Sequence, residues 1–98
     1  MAAYLVVMRD KMIDAAEYAA YGEGARASMA GHPVKPLTVN GKLKCVEGAA
    51  PDGVVVLEFP TVEAAEAWYY SPEYQAVIGR RLQSTEGRAV IVEGVPAG

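Results

Sequence analysis

Three short segments of branched apolar residues mark the beginning, the middle and the end of this chain of 98 residues. They are AYLVVMR (3–9), VVVLEF (54–59) and RAVIVEG (88–94). Branched apolar residues favour extended backbone, and each segment has the length of one β-strand. Apolar residues point to both faces of each strand, without the polar alternation of a sheet that has one face in water. The sequence therefore predicts a sheet that is covered on both faces.

The segment after the first strand has the pattern of an amphipathic helix. Asp14 is its predicted N-cap, and Glu17 is placed to return a capping-box bond. Tyr18 and Tyr21 share one face of the helix, which is predicted to end in MAGHP. The run GEGARA (22–27) matches a dinucleotide-binding fingerprint, but that fingerprint works only where a strand meets the start of a helix. We interpret the match as a coincidence or as a kink in the helix.

The run WYYSPEYQAVIGRRL (68–82) spans the junction of two further helices. Thr61 is the predicted N-cap of the first, which ends at Ser71 because a residue before proline avoids the α conformation. Ser71 and Pro72 in turn suit the N-cap and the first position of the second helix. The predicted inward stripe of that helix consists of Tyr74, Val77, Ile78, Arg81 and Leu82.

The segment VKPLTVNGKLKCVE (34–47) is typical of extended chain. Pro36 lacks the N–H that a central strand needs, which predicts an edge strand. Asn40 and Gly41 predict a turn or a bulge. Cys45, the single cysteine, is predicted to be a buried structural thiol in this strand. A single cysteine also favours a reducing compartment.

The predicted order of elements is β-α-β-β-α-(α)-β, which is the ferredoxin-like split βαβ arrangement of an α+β protein, with an extra short helix before the last strand. We predict one domain over residues 1–98, with 95–98 as a loose tail. Helices cover only one face of such a sheet, so its other face would be a large exposed apolar patch. A symmetric homodimer, in which two sheets pack face to face, is therefore predicted.

Composition argues against several classes of function. The net charge is −3 with no basic cluster, so no nucleic-acid partner is predicted. No segment has the length of a membrane span, and the first residues do not have the pattern of a signal peptide, so we predict a cytoplasmic protein without a membrane partner. One histidine and one cysteine do not make the usual zinc site, so neither a metal nor a cofactor is predicted.

Motifs along most of the chain resemble a known family. VVVLEFPTVEAAEAWYYSPEYQAVIGRR, followed by EGRAVIVEG, is similar to domain-of-unknown-function family 1330, whose members show L-E-F-P-S/T, A-W-Y-x-S-P-E-Y-Q, a later arginine and a closing V-E-G. The opening YLVVMRDKMIDAAEYAAY also resembles the start of that family. The resemblance implies a dimeric α/β barrel of ferredoxin-like protomers. Larger relatives of that barrel include muconolactone isomerases, antibiotic-type monooxygenases and ligand-binding regulator domains, but the family itself has no settled reaction.

The resemblance carries over to eight positions of this chain. They are Glu58, Trp68, Tyr69, Ser71, Pro72, Glu73, Tyr74 and Arg81. The chain departs from the family between Gly31 and Val39, where GHPVKPLTV replaces a segment that contains glycine and arginine. The resemblance therefore does not extend to a pocket wall formed by that strand.

Three charged or titratable residues are candidates for chemistry. Arg81 lies on an apolar stripe and is a candidate for binding a ligand carboxylate, with packing of its stem or an ion pair with Glu58 as the alternative. Glu58 lies on an otherwise apolar strand and is a candidate general base, with a rim position beside an arginine as the alternative. His32, the only histidine, is a candidate acid or base in a loop, where simple solvation is the alternative.

Tyrosine outnumbers phenylalanine six to one, whereas a dry core would favour phenylalanine. Tyr18, Tyr21, Tyr69 and Tyr74 fall on inward stripes, which predicts that they line a ligand cavity or a subunit interface. Trp68 is predicted to anchor the core, with stacking on an aromatic ligand as the alternative.

Together these residues predict a small, mainly apolar cavity that binds a small organic acid or a phenolic metabolite, with cofactor-free isomerase or monooxygenase chemistry as an extension. In this hypothesis Arg81 holds the carboxylate, a tyrosine orients the ligand, and Glu58 or His32 moves a proton. The alternative is a non-enzymatic binding or scaffold dimer, so the sequence leaves enzymatic activity open. In the first case Arg81 and two tyrosine hydroxyls converge on an open cavity, whereas in the second these groups satisfy one another.

Overall fold

The computed structural model describes residues 1–96, which form four strands and three helices. The strands form one antiparallel sheet in the order β2-β3-β1-β4. The predicted ferredoxin-like α+β arrangement with its additional helix is confirmed, although the helix directly before the last strand has 13 residues and the one before it has 8. In chain order the elements are β1 (Ala3–Met12), α1 (Ala15–Ser28), β2 (Lys35–Val39), β3 (Gly53–Phe59), α2 (Val62–Tyr69), α3 (Pro72–Ser84) and β4 (Thr85–Glu93).

All three predicted N-caps are present. The Asp14 carboxylate accepts a bond of 3.0 Å from the backbone N–H of Glu17, and the Thr61 hydroxyl accepts one of 3.0 Å from Ala64. The Ser71 hydroxyl accepts a bond of 3.2 Å from the N–H of Tyr74. The Glu17 side chain does not return the predicted capping-box bond, because its carboxylate accepts a bond of 2.8 Å from Arg80.

Two predictions about single residues are wrong. Cys45 is exposed in the irregular segment 40–52, because Asn40, with a φ of 54°, ends β2 five residues before it. Leu82 is 62% exposed, because its position at i+8 from Tyr74 lies past the edge of the stripe that α3 buries. Arg81 and Ser84 are instead the buried residues of the last turns of α3.

The last strand also begins earlier than its sequence indicates. β4 starts at Thr85, directly after α3, and Gly87 lies inside it opposite Arg9 of β1. A Cβ atom at Gly87 would collide with the carbonyl oxygen of Met8, so only glycine fits this close approach of the two strands. Of the tail predicted to be loose, Val95 and Pro96 have no regular structure, while 97–98 lie outside the described residues.

The core fills the space between the helices and one face of the sheet. Its largest fully buried side chains are aromatic: Trp68, Tyr74 and Phe59. The Trp68 ring lies 4.1 Å from the ring of Tyr74 and 5.9 Å from that of Phe59, between centroids. Residues 1–96 contain no helix with the length and apolar character needed to cross a membrane.

The opposite face of the sheet is apolar at its centre, and none of the helices within residues 1–96 packs on it. In the register of the strands, Val6 of β1 is opposite Val56 of β3 and Val90 of β4. None of these three belongs to the core that packs against the helices, and Val90 is 56% exposed. A single chain therefore covers only one of the two apolar faces that the strands present.

Candidate functional site

A cavity of about 480 Å³ lies between helix α1 and the inner face of the sheet. Helix α1 packs mainly on α3 and stands away from the strands, which leaves this space open. Most of the wall is apolar and comes from β1, β3 and α1. The apolar side chains include Leu5, Val7, Val55, Leu57, Ala25 and Met29.

Arg81, in the last turns of α3, is the buried cation of this cavity. Its side chain lines the cavity, the residue is 7% exposed, and its Nε atom is buried without a hydrogen-bond partner. Within residues 1–96 no carboxylate lies within ion-pair distance of it. Burial acts to lower the pKa of Arg81, but the adjacent Tyr74 and Tyr21 outweigh burial and raise that pKa. Arg81 is therefore charged, and the two tyrosines favour that charge, while its Nε atom has no partner in the described chain.

Tyr21 and Tyr74 form a hydrogen-bonded pair beside Arg81. Their hydroxyl oxygens are 2.8 Å apart, and both side chains line the cavity. Burial and the proximity of Tyr74 raise the pKa of Tyr21, so its hydroxyl stays protonated at neutral pH. One hydroxyl donates to the other, and the second hydrogen remains free to donate to a third group. The pair can therefore supply one donor to a ligand that Arg81 holds.

Arg9, at the far end of β1, is a second arginine on the cavity wall. Its Nε pairs with the Asp52 carboxylate, its Nη1 donates to Asn40 Oδ1 at 2.9 Å, and its Nη2 donates to the Asp52 carbonyl at 2.9 Å. Its Cζ atom lies 4.8 Å from the centroid of the Tyr18 ring. All three nitrogens of Arg9 thus have partners, which distinguishes it from Arg81.

The Arg9 cluster fixes the ends of the long segment between β2 and β3. Asn40 Nδ2 also donates to the Tyr18 hydroxyl at 3.1 Å, and the N–H of Met12 donates to the Asp52 carboxylate at 2.9 Å. Sequence analysis missed this cluster because Asn40 and Asp52 lie 31 and 43 residues from Arg9. A usable signal is Gly53, since a Cβ there would overlap the Arg9 guanidinium.

Five of the sequence-predicted site residues line the same cavity: Arg81, Tyr74, Tyr21, Tyr18 and Trp68. Trp68 is held in place because its Nε1 donates to the Ser28 hydroxyl at 3.1 Å. Tyr69 packs on Tyr74, with 5.4 Å between ring centroids, but lines a separate, shallower groove between α2 and β4.

The two predicted acid–base residues do not line the cavity. Leu57 and Phe59 point to the helices, so Glu58 between them points to the other face of the sheet, opposite Tyr4 and Lys35 in the register. His32 lies in the turn after α1, where its N–H donates to the Met29 carbonyl at 3.0 Å. Within one chain, neither residue joins Arg81 and the tyrosines.

The fold and the cavity define a ferredoxin-like α+β protein with a pocket between its sheet and its first helix. The chain belongs to the family described as domain of unknown function 1330 (DUF1330), whose model matches residues 2–95. The resemblance found in the sequence is thereby confirmed. No curated protein matches the chain.

Solved structures share this fold at low sequence identity. One is the RPA0582 protein of unknown function from Rhodopseudomonas palustris, with 18% identity over 98% of this chain and 84% of the other, and a TM-score of 0.71. Another is SnoaB from Streptomyces nogalater, described as a cofactor-independent oxygenase, with 9% identity over 98% and 94% and a TM-score of 0.64. A third, from Bacteroides fragilis, is described as a dimeric protein of unknown function with a ferredoxin-like fold, with 15% identity over 95% and 96% and a TM-score of 0.58. At these identities the similarity establishes the fold.

Proposed function

We propose that the protein binds a small organic anion, a carboxylic acid or a phenolic metabolite, in the cavity between α1 and the sheet. The observation that carries this proposal is the Arg81 side chain, which is buried at the wall of a mainly apolar cavity with its Nε unpartnered. A buried donor without a partner costs about 1–3 kcal/mol, and a bound anion that accepts from Nε would remove much of that cost.

The chemistry of the wall favours a particular kind of ligand. A guanidinium binds a carboxylate with two parallel hydrogen bonds, and the free hydrogen of the Tyr21–Tyr74 pair provides one further donor. The remaining wall is aliphatic or aromatic and offers contact area to an apolar body. These features support a singly charged ligand with a ring or a short hydrocarbon part.

Cofactor-free isomerase or monooxygenase chemistry is the extension of this proposal. The similarity in fold to a protein described as a cofactor-independent oxygenase supports it. Glu58 and His32 do not line the cavity, so proton transfer within one chain would have to use a tyrosine hydroxyl, the exposed Glu23 at the rim or the ligand itself. Binding is therefore the primary function we propose.

We further propose that the protein is a cytoplasmic homodimer in which the open apolar faces of two sheets pack together. The uncovered Val6, Val56 and Val90 support this assembly, as does the dimeric relative of similar fold. Val56→Glu would place a charge at the centre of that face and should yield monomers in analytical ultracentrifugation. A wild-type monomer at micromolar concentration would contradict the dimer.

A thermal-shift comparison of wild type, Arg81→Met and Arg80→Met tests the binding function. Arg81→Met keeps the length of the side chain and removes the charge, whereas Arg80 is exposed, pairs with Glu17 and provides the matched control. The probes are benzoate, salicylate, hexanoate and phenol, with benzamide as the uncharged counterpart of benzoate. We expect a carboxylate to raise the melting temperature of wild type and Arg80→Met but not of Arg81→Met, and benzamide to have no effect.

The scaffold alternative is favoured by one observation, the mutual hydrogen bond of the Tyr21 and Tyr74 hydroxyls. In that case none of the probes shifts wild type, and Arg81→Met melts well below Arg80→Met because it removes the guanidinium that interacts with Tyr74 and Tyr21. That combination of results would contradict the binding function.

A further inference from the structure

Helix α1 contains two glycines in its interior, at positions 22 and 24. Each costs the helix about 0.5–1 kcal/mol relative to alanine, so each calls for a structural reason. Gly24 has one, because a Cβ atom there would lie 2.6 Å from Cγ1 of Val77 on α3. Glycine at this position permits the close packing of α1 on α3.

Gly22 has no such reason in the packing. Nothing lies within 4 Å of a Cβ atom built at this position, and its φ is in the ordinary range. Gly22 does, however, line the cavity that contains Arg81. The space that a side chain would occupy at position 22 is therefore cavity space.

The neighbours of Gly22 on the helix show where in the cavity it lies. Ala25, about one turn further along, is buried in the core at the inner wall, and the half-buried Tyr18, about one turn before, also lines the cavity. Three other neighbours of Gly22 on the helix line the cavity but are exposed to solvent: Ala19, Glu23 and Arg26. Gly22 thus lies on the boundary between the inner wall and the exposed rim on the α1 side of the cavity, across from the exposed Pro36, Val39 and Asn40 on its β2 side.

We propose that Gly22 forms the entrance of the cavity and that residue 22 sets the size of the anion that reaches Arg81. This inference rests on the proposed binding function and adds a specificity-determining position to it. A second, independent observation points to a ligand beyond this entrance, namely the buried, unpartnered Nε of Arg81. A benzoate-sized acid fits an entrance with no side chain, whereas a leucine at position 22 would project into the passage.

The chain offers a matched control for this position. Gly79 is the other helical glycine with nothing within 4 Å of its Cβ position, but it lies on α3, is exposed and does not line the cavity. Gly22→Leu and Gly79→Leu both replace a helical glycine with a better helix former, so both variants should melt at or above the wild-type temperature. Gly22→Ala is the smaller change, to be used in the same comparisons should Gly22→Leu fail to fold.

Trp68, the single tryptophan of the chain, reports on the entrance without any ligand. It is 1% exposed and lines the cavity, so a small neutral quencher such as acrylamide reaches its ring mainly through that space. We expect acrylamide quenching of Trp68 to be reduced in Gly22→Leu and unchanged in Gly79→Leu. Equal quenching in the two variants would overturn the inference.

Calorimetric titration with benzoate and 1-naphthoate then tests the size limit. Gly22→Leu should weaken 1-naphthoate about tenfold, which corresponds to about 1.4 kcal/mol, and benzoate less, because the leucine side chain takes up space that the larger acid needs. If both acids bind Gly22→Leu and wild type with equal affinity, and this binding depends on Arg81, the role of Gly22 as entrance is contradicted but the binding function is supported. If acrylamide quenching of Trp68 is reduced in Gly22→Leu but neither acid binds the wild type, Gly22 is supported as the entrance and the binding function is contradicted.

Discussion

The hydroxyl oxygens of Tyr21 and Tyr74 lie 2.8 Å apart, although 53 positions separate the two residues in the chain. Their bond joins α1 to α3 at the wall of the cavity, and Tyr74 is almost completely buried. Removing one hydroxyl leaves the other without its partner in a poorly hydrated place. Removing both leaves neither hydroxyl unpaired.

The Tyr21–Tyr74 pair should therefore be non-additive. Tyr21→Phe and Tyr74→Phe should each lower the free energy of unfolding by about 1–3 kcal/mol, which is the cost of an unsatisfied buried hydroxyl. The double variant should lose less than the sum of the two. Urea unfolding of the four proteins measures this coupling, and strictly additive losses would show that the bond contributes nothing of its own.

Alkaline pH should destabilise the protein partly through Tyr21. Its pKa is raised in the folded state above the ordinary value of 10.0, chiefly by burial. The unfolded chain therefore releases this proton first, so the contribution is fully present below pH 10.0 and is lost as the pH rises further. The expected slope from this group is about −1.4 kcal/mol per pH unit.

Unfolding measured in urea from pH 9 to 11.5 isolates this contribution when wild type is compared with Tyr21→Phe. The variant should show a shallower decline above pH 10.0. Tyr70→Phe is the control, since Tyr70 is 67% exposed and should follow wild type. Parallel curves for wild type and Tyr21→Phe would contradict a buried, protonated Tyr21.

Local signals were enough to predict most of the fold. The caps at Asp14, Thr61 and Ser71 involve residues three apart, and the apolar runs of β1 and β3 have no competing pattern. Errors arose where contacts between distant parts of the chain decide where an element ends. Cys45 was expected in a strand that ends at Val39, because Asn40 turns away to bond with Arg9 and Tyr18.

The sequence predicted only part of the candidate site, again because tertiary contacts decide the rest. Helical spacing brought Tyr74 and Arg81 to one face of α3, and both line the cavity. The partner of Tyr74 is on another helix, and no spacing rule connects Tyr21 to it. The direction of Glu58 depends on strand phase, and a strand with apolar residues on both faces does not reveal which face the helices cover.

Gly24 and Gly79 should respond in opposite ways to the same substitution. Gly24→Ala places a methyl group 2.6 Å from Val77 and should cost about 1–3 kcal/mol, whereas Gly79→Ala fills open space and should stabilise α3 by up to about 1 kcal/mol. Thermal unfolding of the two variants measures both effects. Adding Val77→Ala to Gly24→Ala relieves the clash but also removes methyl groups that pack between the helices. The double variant should therefore regain only part of the stability that Gly24→Ala loses. Equal effects at the two glycines would mean that α1 does not pack closely on α3.

Ser71 should contribute more to stability than an ordinary helix cap. Its hydroxyl accepts from the N–H of Tyr74 and donates to the Trp68 carbonyl at 2.7 Å, so it joins the end of α2 to the start of α3. Ser71→Ala should cost about 1–2 kcal/mol. Thr61→Ala, which removes an exposed cap with a single bond, should cost about 1 kcal/mol or less. An unchanged urea midpoint in Ser71→Ala would rule out this bridging role.

Trp68 should be the most sensitive position of the core. It is 1% exposed, packs on Phe59 and Tyr74, and donates to the Ser28 hydroxyl. Trp68→Ala should lower the free energy of unfolding by roughly 3–5 kcal/mol, because the void cannot fully collapse when one wall already borders the cavity.

Two variants separate the packing of Trp68 from its hydrogen bond. Ser28→Ala leaves the ring in place and removes the acceptor of its Nε1, together with the bond that the Ser28 hydroxyl donates to the Ala25 carbonyl, so it should cost about 1–3 kcal/mol. Tyr70→Ala removes an exposed ring two residues away and should change stability by less than about 1 kcal/mol. Urea unfolding followed by far-UV circular dichroism suits all three variants, since Trp68→Ala removes the fluorophore. A loss in Trp68→Ala no larger than that in Ser28→Ala would mean that the ring itself contributes little packing, and that the cavity is open enough to accept its removal.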